Sequence, residues 1–103
     1  MNMQASFASF AFEESSRALS LIESTIREFS ELAAELNEEL RAEEARVGIF
    51  DPKHFAYSCY AKAVTQRRDN LLRSVENLKV QLEKERGGHS HLLTDLRTAP
   101  YTR

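Results

Sequence analysis

The stretch GIFDPKHFAYSCYAK, Gly48 to Lys62, decides how this chain is read. It holds one of three glycines, one of two prolines, the only cysteine and two of three tyrosines. On either side the sequence is charged, free of Gly and Pro for many residues, and periodic. Glycine favours the left-handed backbone just past a helix end, so Gly48 reads as a helix stop. Asp51-Pro52 reads as a restart. The carboxylate can accept from free N–H groups as an N-cap, and proline suits the first helical position because it has no N–H to lose. The spacing predicts a connection of roughly three to five residues, short enough for an antiparallel helix pair.

Outward from that turn, apolar residues recur at steps of three and four. Before it the stripe is Phe12, Leu19, Ile22, Ile26, Phe29, Ala33, Leu36, Leu40 and Val47, with lapses at Ser15 and Glu43. After it the stripe is Tyr57, Ala61, Val64, Arg68, Leu71, Val75, Leu78 and Leu82. Such spacing builds a helix with a coiled-coil seam. The predicted fold class is all-α: two long helices forming an antiparallel coiled-coil hairpin over residues 12–86, with the turn at about 48–51. Residues 1–11 show no clear period and are expected to be an irregular extension. Gly87-Gly88 is expected to end the second helix. Residues 87–103 then form a tail, with a short helix around Leu92, Leu93 and Leu96 as the alternative to disorder.

Charge supports the pairing. Ten acidic and four basic residues lie between Phe12 and Arg46, and eight basic and four acidic between Pro52 and Arg86. Opposite flanks favour one helix lying on the other and select partners more than they add stability. Glu13 with Arg17 and Glu23 with Arg27 are (i, i+4) pairs. Arg68 interrupts the second stripe. With a turn centred near residue 50, it faces residues 31–34, with Glu31 and Glu35 in reach.

The composition excludes several classes. A net charge of -2 and pI near 5.9 argue against general nucleic-acid binding. A single cysteine makes no intramolecular disulfide and fits a reducing compartment. MNMQASFASFAF carries no Lys or Arg, unlike a secretory signal, and no apolar run is long enough to span a bilayer. A cytoplasmic protein is expected. At 103 residues the chain is one small domain with a lean core, for which another copy or a partner would supply stability.

The candidate chemistry is thin. A zinc site needs about four well-placed ligands, whereas Cys59, His54, His89 and His91 fall in two distant places. The histidines are expected at the solvent-exposed surface. Cys59 and His54 are five apart, so one helix turns them away from each other. No catalytic residue, metal site, cofactor or small-molecule ligand is expected. The aromatics say more: Tyr57 belongs to the seam and is expected against Leu40 or Val47. Phe50, Phe55 and Tyr60 either close the turn as a small local core or form a docking patch. Arg67, Arg68, Asp69 and Asn70 are the remaining interaction candidates.

From Gly48 to Glu83, GIFDPKHFAYSCYAKAVTQRRDNLLRSVENLKVQLE resembles the alphaproteobacterial FliJ family of flagellar export proteins. The family pattern is G-I-x-D-P-x-H-F-A-Y, then T-Y-A, then Q-R-R-D-N-L. It is met here by Gly48, Ile49, Asp51, Pro52, His54, Phe55, Ala56, Tyr57, Tyr60, Ala61, Gln66, Arg67, Arg68, Asp69, Asn70 and Leu71. The acidic helix before it is similar in spacing, so the resemblance covers roughly residues 13–86. It implies a non-enzymatic coiled-coil rod at the flagellar base. That rod would bind the type III export ATPase and the export gate, handle export chaperones, and meet the membrane only indirectly. Both ends depart from the family's basic first segment and acidic final coil. A truncated coiled coil that only self-associates is therefore one alternative. A hairpin that inserts its tip into a large enzyme such as RNA polymerase is another, although the tip has only Asp51 as a carboxylate.

Overall fold

The computed structural model describes residues 3–98, with side-chain placement for residues 6–97. It is an antiparallel helical hairpin: α1 spans Met3–Val47 and α2 spans Cys59–Thr98. Chain contacts divide it into two compact units, one formed by Ile26–Asn77 and the other by the segments up to Thr25 and from Leu78.

In the unit Ile26–Asn77, Leu36, Leu40, Tyr57, Ala61 and Val64 form one buried cluster, with Ile49 and Leu71 packed against it. Ala33 and Val75 are buried in the same unit. In the other unit Ile22 and Leu82 are buried. Every buried residue among those described belongs to one of the two apolar stripes; all but Tyr57, which precedes α2, lie on a helix, and each helix offers a partner one face only. Ile49, outside both stripes, is the apolar residue that the loop adds to this seam.

The connection is longer than the sequence predicts. Gly48 has φ +81° and its N–H bonds the Glu44 carbonyl at 2.7 Å, ending α1. Asp51 and Pro52 do not start α2. Asp51 Oδ1 accepts from the Lys53 N–H at 2.9 Å and its carbonyl accepts from the His54 N–H at 2.9 Å, so the pair makes a tight turn. A second turn follows, with the Tyr57 N–H on the His54 carbonyl at 3.0 Å and the Ala56 N–H on His54 Nδ1 at 3.0 Å. The N-cap of α2 is Ser58, whose Oγ accepts from the Ala61 N–H at 3.1 Å. Aspartate side chains favour their own local turn as readily as a cap, and here the local turn prevails.

Two further boundaries move. α1 extends back through residues 3–11, since that segment contains no Gly or Pro to stop it. Gly87 and Gly88 lie inside α2. Leu92, Leu93 and Leu96 beyond them are half-buried, and that burial opposes the propensity cost of two glycines. Residues 99–103 of the expected tail lie outside the described residues.

The expected local ion pairs also differ. Arg17 pairs with Glu14 at 2.8 Å rather than with Glu13, and Glu23 reaches across to Arg86 at 3.3 Å rather than to Arg27. These pairs are exposed and worth little individually.

Two substitutions test these boundaries. A Cβ at Gly87 or Gly88 would meet nothing within 4 Å. The double change to Ala is therefore expected to stabilise the chain by about 0.5–1 kcal/mol per site, read as a higher melting temperature by circular dichroism. Ser58→Ala is expected to cost about 1 kcal/mol, whereas Asp51→Ala should cost less because no helix depends on it.

Candidate functional site

Three hydroxyl groups at the start of α2 meet three carboxylates near the end of α1. Tyr57 Oη donates to Glu44 at 2.6 Å, Ser58 Oγ to Glu43 at 2.5 Å, and Tyr60 Oη to Glu39 at 2.6 Å. Bonds to ionised acceptors are shorter and stronger than neutral ones. Sequence reasoning missed Glu39, Glu43, Glu44 and Ser58. The available signal was a run of hydroxyl residues at 57, 58 and 60 facing an acidic run at the same distance from the turn.

Glu43 is the best held of these carboxylates. Its side chain is only 12% exposed, and Arg46 makes two bonds to it at 3.0 and 2.9 Å. Arg46, followed by the Ser58 hydroxyl, holds the Glu43 carboxyl below its usual range despite partial desolvation. The phenol of Tyr57 is pushed up, first by its bond to Glu44 and then by burial; that of Tyr60 is pushed up first by its bond to Glu39.

The aromatics of the loop separate sharply. Tyr57 is buried in the cluster with Leu40. Phe50 is 61% exposed, Phe55 95% and Tyr60 53%. They do not form a local core. Phe55 stacks on the His54 ring at 4.8 Å. The described residues form two helices and no third element to cover these rings, so the seam takes Tyr57 and Ile49 and the rest stay at the surface.

The run Gln66–Asn70 also divides. Arg68 turns inward and donates to Asn37 Oδ1 at 2.9 Å and to its neighbour Asp69 at 3.1 and 3.2 Å. It does not pair with Glu31 or Glu35. Asn37, one helical turn nearer the loop than the expected level, is the residue of α1 that its guanidinium reaches. Asn70 accepts from Arg73 at 3.0 Å. Arg67 stays exposed and borders a groove of about 520 Å³ between the helices. Phe29, Leu32, Leu36 and Leu71 form its floor. A second groove of about 360 Å³, edged by Ala33, Ala34, Arg68 and Leu72, lies on the other flank.

The remaining chemical candidates stay apart. Cys59 is free and exposed. His89 is not a plain surface residue, because it is half-buried with its ring 4.4 Å from that of Phe12 and Nδ1 3.2 Å from Ser15 Oγ. Among the described residues no group of three or more His, Cys, Asp or Glu could hold a metal ion, and no helix is long and apolar enough to cross a membrane.

Comparison with family models, with curated proteins and with solved structures finds no match to this chain.

The lowered carboxyl of Glu43 gives a pH test. The folded state holds its ionised form better than the unfolded chain does. Its contribution is therefore complete above the unfolded value, roughly pH 4.3, and is lost as pH falls through the lower folded value. Melting temperature should drop on acidification below that range. Glu43→Gln should be less stable at neutral pH and show a shallower drop, measured by thermal melts between pH 7 and 2.5.

Proposed function

We propose that this chain is a non-enzymatic coiled-coil component of the flagellar type III export apparatus. It would act in the cytoplasm at the flagellar base by binding the export ATPase and the export gate. The observation that carries the reading is how the residues of the FliJ-like motif divide between structure and surface. Gly48, Asp51, Tyr57 and Ala61 build the turn and the seam. Phe55 stacks on His54 and is otherwise almost fully exposed, and Arg67 and Asn70 edge an apolar groove. A motif needed only to turn the chain would not require a phenylalanine at 95% exposure. Exposed aromatics and arginines are the side chains that anchor protein interfaces.

The hairpin suits such a role because its outward faces are free to dock while the seam keeps the helices paired. Its acidic α1 flank and basic α2 flank would set orientation and encounter rate more than affinity.

The purified chain should bind the export ATPase, or the cytoplasmic domain of the gate, in isothermal calorimetry. The double change Phe50→Ser and Phe55→Ser should weaken that binding at least roughly tenfold, the loss of an interface anchor, with the melting temperature unchanged. A parent chain that binds neither protein, under conditions where an intact family member binds both, overturns the reading.

A further inference from the structure

The groove floored by Phe29, Leu32, Leu36 and Leu71 is apolar and open, and Leu32 is 45% exposed. Its walls carry opposite charge. Glu35 and Glu39 stand on the α1 side and Arg67 on the α2 side. Arg67 and Glu35 have no ion-pair partner among the described residues. The imbalance extends along the unit: seven acidic and three basic residues lie in 26–47, and four basic and two acidic in 59–77.

We infer that this groove is the self-association face of the protein, covered by the same groove of a second copy. Two hairpins laid face to face around a two-fold axis have two arrangements. An axis across the helices sets α1 against α1 and α2 against α2, which opposes like charges. An axis along the helices sets α1 of each copy against α2 of the other. Only the second arrangement matches acid to base.

It also matches height. Arg68 bonds Asn37 at 2.9 Å, so its neighbour Arg67 lies close in level to Glu35 and Glu39, which flank Asn37 on α1. Rotation about an axis along the helices preserves that level. Arg67 of each copy therefore meets Glu35 and Glu39 of the other, twice, while Leu32 and Leu71 close over a shared core. All neighbouring helices run antiparallel, as in a four-helix bundle. The two loops lie at the same end. Tyr60, seven residues before Arg67 and bonded to Glu39, stands on the same face next to the join. The inference is independent of the export reading and holds or fails separately from it.

Sedimentation equilibrium should give twice the 11.8 kDa chain mass at micromolar concentration. Arg67→Glu should weaken the dimer at least roughly tenfold, since like charges then face each other. So should the double change Glu35→Arg and Glu39→Arg. An equimolar mixture of the two variants should recover the dimer, because each then meets its complement. All these residues are exposed, and circular dichroism checks that the variants stay helical.

The single cysteine reports the orientation. Cys59 lies on the order of 15 Å from the middle of the groove along the axis, at 1.5 Å per residue. Nitroxide labels on Cys59 of the two copies should sit at one height. Loops at opposite ends would separate them by about 30 Å along the axis, and that distance in a dipolar spectrum would overturn the assignment. A chain that stays monomeric at 100 micromolar overturns it too. So does a dimer indifferent to the charge reversals, or one whose variants fail to recover on mixing. A monomer whose binding to the export ATPase is abolished by Leu32→Arg would assign the groove to that partner instead.

Discussion

The Ser58 hydroxyl fixes the register of the helix pair. It accepts from the Ala61 N–H, which starts α2, and it donates to Glu43, which ties that start to α1. One oxygen thus sets both where the second helix begins and which residues of the first it faces. Tyr57 on Glu44 and Tyr60 on Glu39 extend the same alignment on either side. Moving the start of α2 by one residue would rotate its stripe by about 100°. Ala61, Val64 and Val75 would then leave the seam.

The seam along the helices was legible in the sequence, because burial between two paired helices follows helical period. Leu36, Leu40, Ala61 and Val64 repeat at threes and fours and are buried. The connection was less legible. Asp51-Pro52 and Ser58 are both sound helix starts by residue type. The choice between them depends on Glu43 and Glu44, which are distant in sequence and adjacent only after the chain has turned. Local chemistry offers both sites, and the tertiary contact selects one. The same holds for Gly87-Gly88: propensity argues for a stop, while the half-buried leucines beyond it favour continuation. The inward turn of Arg68 onto Asn37 depends on which α1 residue stands within reach of a long side chain, which helical period does not specify.

A core one stripe wide has a cost elsewhere. Tyr57 and Ile49 fill the end of the seam, and the described residues form no third layer over Phe50 or Phe55. In a larger domain these rings would be core. Here they remain in water, as do Leu32 on one groove and Leu72 beside the other. Apolar surface of this kind is either a liability for aggregation or a place where something binds. The charges along α1 and α2 bear on that choice. They leave the apolar floor accessible but restrict which helices can settle on it, because an approaching helix must carry the opposite charge on each side.

The restriction explains why Arg67 and Arg68 are not interchangeable although they are neighbours. Arg68 lies on the seam, where Asn37 and Asp69 satisfy its guanidinium and its stem runs along the helix contact. Its charge is committed inside the chain. Arg67, one residue earlier, is rotated by about 100° onto the flank and makes no ion pair among the described residues. Its position beside an apolar floor, on the wall facing Glu35 and Glu39, leaves its charge exposed at the edge of the groove.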